Sequence, residues 1–346
     1  MSDGGSSPLP LERLYLQMVR MRRFEEVLAA LWQQGLVSGE LHLGIGEEAI
    51  IAGVIDHLGP GDGLALDHRP TPALVGIGTD LRQMVLEMLG HDQGLCRGRG
   101  GHMHLFDPDR TAASSGIVGA SGPMACGFAL ALSVSGPGRV GVAFFGEGAT
   151  NQGMLLESLN LAVAWRLPVL FVCKDSTWAI TTRSAAVTGG RIEWRAAAFG
   201  MPAARVDGTR VDQVWRTAGR MIDHARRGKG PGFLLATCWR PMGHFAGDPL
   251  VSAAAHPASL KVKMPGMLGA LRDRSAGPTR ARVSGLLTMT GTVGRMKVQQ
   301  MVRRADPVRS TGRRLPADAR RRVDTAAAAE VDDAVTAALR TIRGGQ

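Results

Sequence analysis

The 346-residue sequence predicts a doubly wound α/β fold, with a mostly parallel sheet and helices on both of its faces. Continuous apolar runs of strand length occur in the middle of the chain, as expected for strands that are buried on both faces. Segments with the 3.6-residue spacing of helices separate these runs. An alternation of strand and helix is typical of a parallel sheet.

The N-terminal part of the chain is predicted to be helical. Residues 1–10 read as a flexible leader, apolar residues recur at helical spacing over 11–34, and Gly35 marks the end of that helix. Further helices are predicted over 48–58 and 80–90. Residues 96–123 are rich in glycine and include His102 and His104. This stretch is either a mobile loop or a loop that lines a ligand site, and an apolar helix over 124–134 follows it.

The middle of the chain predicts a strand–helix–strand unit. A strand over 139–145 ends at Gly146-Glu147-Gly148, a helix covers 151–165, and a second strand covers 168–173. Two strands joined in this way run parallel, with a right-handed crossover. A strand near 204–206, a helix over 211–227 and a strand over 233–238 continue the alternation.

The net positive charge of the protein comes entirely from its C-terminal part. The net charge is +11, yet residues 1–250 carry 23 basic and 23 acidic side chains, whereas residues 251–346 carry 18 and 7. We therefore divide the chain into an α/β domain over 11–249, a basic irregular segment over 250–305 and a helical segment over 306–346, with a helix at 317–342. A basic run is usually a solvated surface. A nucleic-acid or acidic-surface binder acting through 261–322 is the minor alternative.

Several classes of protein are excluded by what the sequence lacks. The four cysteines form no Cys-x-x-Cys pair, so a zinc or redox motif is not indicated. The N-terminus has no apolar stretch behind a basic start, and no run of about 18 apolar residues could span a membrane. The expectation is a cytoplasmic protein.

Polar side chains follow two neighbouring strands of the predicted sheet. Glu147 follows the first strand, and Asp175 and Ser176 follow the second. Parallel α/β sheets bind ligands at the carboxyl ends of their strands. Glu147 with Asp175 or Ser176 could therefore supply oxygen ligands to a hard cation, and the glycines could offer N–H groups to a phosphate. The alternative is a glycine-rich turn with an acidic residue that caps a helix.

Several motifs in one order resemble a known family. The segment FFGEGATNQGMLLESLNLAVAWRLPVLFVCKDSTWAITT at 144–182 closely resembles the thiamine-diphosphate segment of the alpha subunit of 2-oxo acid dehydrogenase complexes, a family that includes pyruvate, branched-chain and acetoin dehydrogenases. The resemblance extends over ELHLGIGEEAIIAGV (40–54), GLCRGRGGHMHLFDP (94–108), SGIVGASGPMACGFALAL (115–132), RVDGTRVDQVW (205–215) and GHFAGDP (243–249).

The resemblance implies a role for each matched residue. His42 and His244 match histidines at the substrate, and His244 also touches the cofactor diphosphate. Thiamine diphosphate is further held by residues that match its binding positions, namely His68, Arg69, Gly116, Val118, Glu147, Gly148, Ala149 and Ser176. Of these, Arg69 matches the arginine that reaches the diphosphate. The Mg²⁺ ligands implied are Glu147, Ser176 and the carbonyl of Trp178.

The resemblance also implies the reaction and its partners. The cofactor acts as an electron sink for decarboxylation of a small 2-oxo acid, or for C–C cleavage of acetoin, with reductive transfer of the acyl group to a lipoyl-bearing acyltransferase. A beta subunit completes the site in an α2β2 assembly.

Three departures from the family pattern fall on the cofactor site. Gly-Glu-Gly replaces Gly-Asp-Gly at 146–148, Asp175-Ser176 replaces Asn-Asn, and the family's His-Arg-Gly-His-Gly reads His68-Arg69-Pro-Thr-Pro. These departures leave open a second hypothesis, that the chain is a catalytically impaired family member with a structural or regulatory role.

Overall fold

A computed structural model of the protein describes residues 8–180, 182–248 and 306–344, together with the isolated positions 280, 284 and 291. The first seven residues of the predicted leader lie outside the described residues. So does almost all of the predicted basic segment 250–305.

The N-terminal part contains four helices and one short strand of the main sheet. The helices are α1 (Leu11–Gln33), α2 (Glu48–Ile55), α3 (Thr71–Ile77) and α4 (Leu81–Met88), and strand β1 (Gly63–Leu66) lies between α2 and α3. The glycine-rich stretch contains two short strands, β2 (Phe106–Asp107) and β3 (Ala112–Ser114). Helix α5 (Ser121–Ser135) follows them.

The central part contains the predicted strand–helix–strand unit, formed by β4 (Gly141–Gly146), α6 (Gly153–Ala164) and β5 (Val169–Asp175). A small hairpin follows, β6 (Trp178–Ala179) and β7 (Thr182–Arg183), and then α7 (Ser184–Val187) and α8 (Ile192–Ala198). The last strands are β8 (Ala203–Asp207) and β9 (Gly232–Thr237), with α9 (Val211–Arg226) between them.

The main sheet has seven strands in the order β2-β3-β1-β4-β5-β9-β8. Every pairing is parallel except that of the short edge strand β2 with β3. The prediction of a doubly wound, mostly parallel α/β fold is confirmed. Because β4 lies directly beside β5, and β5 beside β9, the loops that leave these three strands emerge at one edge of the sheet.

Each face of the sheet is covered by its own apolar layer. Val142 and Phe144 of β4 face the layer of α1, α2 and α9, whereas Ala143 and Phe145 face the layer of α5 and α6. All four side chains are almost completely buried. This burial on both faces explains why the strands read as continuous apolar runs rather than as an alternating pattern.

The C-terminal described segment folds back on the first helix. It forms α10 (Pro307–Gly312) and α11 (Ala317–Gly344), and α11 packs along α1. Arg20 of α1 pairs with Glu330 of α11, Arg23 pairs with Asp332, and the Tyr15 hydroxyl donates to Asp324 at 2.8 Å. Among the described residues, no helix is both long enough and apolar enough to cross a membrane.

Candidate active site

A cleft of about 830 Å³, part of it open to solvent, lies at the carboxyl edge of the sheet. Its wall is formed by the loops after β4 and β5, the segment before α5, and loops that carry histidines. The lining residues from the predicted set are His42, His68, Gly116, Val118, Glu147, Gly148, Ala149, Trp178 and His244. Arg69 and Ser176 lie behind this wall, and both are buried.

Three oxygen-bearing groups meet at the floor of the cleft. The Ser176 hydroxyl lies 3.0 Å from Glu147 Oε1 and 3.1 Å from the Trp178 carbonyl oxygen, and the Ser176 N–H donates to Glu147 Oε2 at 3.2 Å. The structure thus brings together the three residues that the family resemblance implies as metal ligands. The tight loop after β5 makes this possible, with Thr177 at a φ of 66°.

Asp175 and Ser176 were open alternatives as the partner of Glu147, and the structure distinguishes them. The Asp175 carboxylate accepts the Thr177 N–H at 2.9 Å and lies 3.3 Å from the Arg205 guanidinium. Ser176, not Asp175, forms the contacts with Glu147.

The Glu147 carboxyl is buried, which disfavours its charged form, and a bound cation would favour that form. Burial is the main reason that its pKa is raised, and the nearby Arg240 guanidinium acts in the opposite direction. Arg240 also donates to the Trp178 carbonyl at 2.7 Å. A positive charge therefore already faces two of the three oxygen groups.

These residues fit a divalent cation bound to a phosphorylated cofactor. A carboxylate, a hydroxyl and a backbone carbonyl are hard oxygen donors of the kind that Mg²⁺ and Ca²⁺ prefer. Three buried polar atoms of residues that line the cleft, Asp67 Oδ2, His68 Nε2 and Ser121 Oγ, have no hydrogen-bond partner among the described residues. Buried polar atoms are normally paired, so these three lack a partner that a bound ligand could supply.

Four histidines form one cluster beside this floor. His42 Nδ1 lies 2.9 Å from His102 Nε2, and the rings of His68 and His244 stand 5.0 and 4.9 Å from the His42 ring. Burial, as the main cause, lowers the pKa of His42 and His244 to about 3, of His68 to about 2 and of His102 to about 4. The cluster is therefore neutral at physiological pH.

The three cleft histidines could in principle hold a metal, because one ligand atom from each of His42, His68 and His244 lies within 4.8 Å of the others. The surrounding charge opposes this. Arg69 and Arg240 both act on His42 and His244 and lower their pKa values. We therefore interpret the cluster as a neutral hydrogen-bonding wall.

Arg69 lies behind the cleft wall, and its contact with a diphosphate stays a prediction. Its side chain is buried, and it donates to the carbonyl oxygens of Leu43 and His244, both at 2.6 Å. The guanidinium thus joins the segment that carries His42 to the loop that carries His244, and it does not line the cleft.

A buried ion network supports the same segments. Lys174 Nζ lies 2.7 Å from Glu47 Oε2 and 3.1 Å from Asp67 Oδ1. Asp67 precedes His68, and Glu47 lies in the loop that leads into α2. Lys174 therefore ties the end of β5 to two segments of the cleft wall.

Arg240 and Lys174 were missed by the sequence reasoning. Both could have been found from topology. Arg240 follows β9, which is the neighbour of β5, so its loop opens at the same edge as Glu147 and Ser176. Lys174 is the penultimate residue of a strand that is otherwise apolar, and a buried lysine of this kind requires carboxylate partners.

Comparison with known proteins identifies related sequences over most of the described fold. Residues 16–256 match the model of a family described as "Dehydrogenase E1 component". The alpha subunit of acetoin:2,6-dichlorophenolindophenol oxidoreductase from Cupriavidus necator is 41% identical over 258 residues, which is 73% of this chain and 78% of the relative.

Two further relatives extend the comparison. The protein of the same description from Bacillus subtilis is 40% identical over 237 residues, covering 68% of this chain and 71% of the relative. The pyruvate dehydrogenase E1 component subunit alpha of Rhizobium meliloti is 36% identical over 239 residues, covering 68% and 69%. None of these descriptions is of a non-catalytic protein.

Proposed function

Because the chain belongs to the dehydrogenase E1 component family, we propose that it is the alpha subunit of a thiamine-diphosphate-dependent dehydrogenase that acts on acetoin or a small 2-oxo acid such as pyruvate. One observation carries the proposal. The Glu147 carboxylate, the Ser176 hydroxyl and the Trp178 carbonyl converge at the floor of a cleft, at the carboxyl edge of a parallel sheet.

Membership of the family implies thiamine diphosphate and a divalent metal. We propose Mg²⁺ as the metal, held by Glu147, Ser176 and the Trp178 carbonyl. The hydroxyl of Ser176 is a neutral donor where the family has an amide oxygen, and its contacts with both other groups support its role. The bound cofactor supplies an electron sink for cleavage of a C–C bond.

The remaining cofactor contacts are assigned from the cleft wall. Gly148 and Ala149 follow Glu147 and line the cleft, so they can approach a diphosphate closely. His68 offers the unpaired Nε2 atom there. Gly116 and Val118, which line the cleft in the segment before α5, are proposed to contact the aminopyrimidine ring.

The histidines act on the substrate side of the site. His42 and His244 line the cleft, and burial keeps both neutral. Each ring therefore has one N–H that can donate a hydrogen bond and one unprotonated nitrogen that can accept a proton. A neutral imidazole beside a reacting oxygen can stabilise negative charge that develops there. We propose that both residues bind substrate oxygens and transfer protons.

The alpha-type relatives imply a beta subunit as partner. We further propose an α2β2 assembly and a lipoyl-bearing acyltransferase as the acceptor of the acyl group. Exposed apolar side chains at the cleft support the presence of a further subunit. Ile117, Val118 and Ile180 line the cleft and are more than half exposed. All four cysteines are unpaired, which is consistent with the proposed action in the cytoplasm.

The second hypothesis, an impaired family member, gains no support from the relatives. Two of the three departures from the family pattern leave a coherent site, because Glu147 and Ser176 still meet. The third, at 70–72, lies at the start of α3, where Pro70 and Pro72 are compatible with the first helical turn.

Calorimetric titration tests the proposed function. Thiamine diphosphate with MgCl₂ is titrated into the chain co-purified with its candidate beta subunit, and micromolar binding that requires Mg²⁺ is expected. Acetoin and pyruvate are then compared as substrates, with 2,6-dichlorophenolindophenol as the electron acceptor. A folded, assembled complex that binds no cofactor would refute the proposal.

A further inference from the structure

The rings of His42 and His102 meet edge to edge in nearly one plane. His42 Nδ1 lies 2.9 Å from His102 Nε2, the two ring planes are inclined by only 18°, and the ring centroids stand 5.2 Å apart. This centroid separation is close to the largest that the nitrogen contact allows, so the two nitrogens lie on the line between the rings. Because an imidazole lone pair lies in the plane of its ring, the geometry is that of a straight hydrogen bond.

The glycine-rich stretch that leads to His102 is anchored by one buried carboxylate. Glu87, in the last turn of α4, is 1% exposed. Its carboxylate accepts three backbone N–H groups at 2.6 to 2.8 Å, those of Cys96, Gly98 and Gly100. Gly98 has a φ of 69°, in the left-handed region that favours glycine. Hydrogen bonds to a single side chain thus hold this stretch against α4.

The segment that follows His102 is held by a strand of the main sheet. The Ser114 hydroxyl of β3 donates to the Met103 carbonyl at 2.9 Å and accepts the Leu105 N–H at 2.7 Å. Met103 lines the cleft, and His102 is 9% exposed. The backbone is therefore fixed on both sides of His102, and its ring is presented to His42 from behind the cleft wall.

The contact determines which nitrogen of His42 is offered to the substrate. His102 occupies Nδ1, so Nε2 is the nitrogen that remains for a ligand in the cleft that His42 lines. The rings of His68 and His244 stand nearly perpendicular to the His42 ring, at 5.0 and 4.9 Å, and limit its tilt. A partner that holds the far nitrogen of a histidine fixes both the orientation and the tautomer of the ring.

We propose that His102 is a positioning residue for His42, which it holds through Nδ1 so that Nε2 can give or take a proton at the substrate. The inference rests on the proposed function, since it assigns a role within that site. The family resemblance implies no role for His102.

A neutral histidine suits this task because its Nε2 atom can either donate or accept. When His42 Nε2 takes a proton from a substrate hydroxyl, the O–H bond breaks, an N–H bond forms, and the Nδ1–H of the imidazolium donates to the lone pair of His102 Nε2. Return of the proton to the substrate restores two neutral rings. In the other neutral tautomer of His42, His102 donates to Nδ1 instead.

The charges around His42 make such an acceptor valuable. The guanidinium groups of Arg69 and Arg240 both oppose a positive charge on its ring. The carboxylate of Glu40 lies 3.9 Å from His42 Nε2 and is exposed, so solvent weakens its effect. Within the buried part of the site, the lone pair of His102 is therefore placed to stabilise the imidazolium form of His42.

The first test replaces His102 by Leu and by Gln in the complex with the beta subunit. Leu fills the space of the ring without a polar atom, whereas the Gln amide reaches the position of Nε2 and can donate or accept. His102→Leu should lower kcat by about 10- to 10²-fold, while the dissociation constant for thiamine diphosphate with Mg²⁺ stays within about threefold of wild type. His102→Gln should keep a kcat at least about fivefold above that of the Leu variant.

A double-mutant cycle tests the pairing itself. On a His42→Ala background, His102→Leu should change kcat by less than about twofold, because residues that act as one unit are not additive. The same four complexes are then melted without cofactor or substrate. The double variant should melt at least about 2 °C above the temperature that the two single shifts predict, since the shared hydrogen bond is lost only once.

His57→Leu is the matched control. His57 is a partly buried histidine outside the cleft, and its Nε2–H donates to the Trp215 carbonyl at 2.7 Å. The substitution removes a histidine hydrogen bond of similar length but leaves the cleft unaltered. It should lower the melting temperature and keep kcat within about twofold of wild type.

Three results would overturn the inference. The first is a His102→Leu complex with a kcat within about twofold of wild type, and the second is an equal loss of kcat from that substitution with and without His42. The third is equal activity of the Gln and Leu variants. A wild-type complex that binds no cofactor would instead refute the proposed function itself.

Discussion

Glu25 is a carboxyl group enclosed beneath the cleft wall, and its replacement by glutamine gives a direct measure of what that burial costs. Its side chain is completely buried. Oε2 accepts the Gly44 N–H at 2.6 Å, and Oε1 accepts the Thr71 hydroxyl. Gly44 lies two residues after His42, and Thr71 lies two residues after Arg69, so Glu25 supports both segments of the wall.

The environment of Glu25 favours its neutral form. Burial is the main cause of a pKa that rises from 4.5 to about 7, opposed by the two hydrogen bonds. The folded protein therefore keeps this proton up to about pH 7, whereas the unfolded chain releases it near pH 4.5. Stability from this group is fully present below pH 4.5 and is lost as the pH rises through about 7.

The expected size of the effect follows from that difference. At about 1.4 kcal/mol per pH unit, the raised pKa corresponds to about 3 kcal/mol of lost stability at pH 8. A glutamine amide can accept from the Gly44 N–H and donate to the Thr71 hydroxyl, so Glu25→Gln keeps both contacts. The variant should be more stable than wild type by up to about 3 kcal/mol at pH 8, and similar to it near pH 4.5.

Denaturant unfolding of the assembled protein from pH 4.5 to 8 measures this difference. Glu26→Gln is the matched control, since Glu26 is the exposed neighbour on the same helix and loses the same charge. Its free energy of unfolding should follow that of wild type at every pH. A Glu25→Gln curve parallel to wild type across the whole range would refute the reasoning.

Three further predictions concern the cleft. Glu147→Gln should weaken binding of thiamine diphosphate with Mg²⁺ by at least about 10²-fold in calorimetry, since a charged oxygen ligand is lost; Asp175→Asn, which changes a carboxylate outside the ligand set, should not. Lys174→Met should lower the free energy of unfolding by about 3–5 kcal/mol, because two buried carboxylates lose their counter-charge; an unchanged unfolding midpoint would contradict the buried network. Gly46→Ala should cost about 2 kcal/mol of stability and weaken cofactor binding, because Gly46 has a φ of 100° and a Cβ there would overlap the Trp239 carbonyl; equal melting temperatures would show that this loop can move aside.

The sequence is most informative where burial is strongest. The runs that form β4 and β5 are apolar throughout, so their type, order and parallel pairing could be predicted. Helix α3 was not predicted, although Pro70 and Pro72 stand at its start, where proline is compatible with the first helical turn. The four-residue strand β1 was also missed, since so short an apolar run has no distinct period.

The site could be predicted only as far as topology determines it. The proximity of Glu147 and Ser176 follows from two adjacent parallel strands that end at one edge. The direction of a long side chain does not follow from topology, so the hydrogen bonds of Arg69 to two backbone carbonyls could not be predicted. Hydrogen bonds between segments distant in sequence decided its place.

The packing of α11 along α1 determines what happens to the protein when the chain is cleaved by a protease. The two helices are joined by buried apolar contacts, by the Tyr15–Asp324 hydrogen bond and by two ion pairs, although about 300 residues of sequence separate the partners. A single proteolytic cut between residues 249 and 305 would therefore not release the C-terminal fragment. The two pieces should co-purify as a nicked protein, and separately expressed fragments should complement each other.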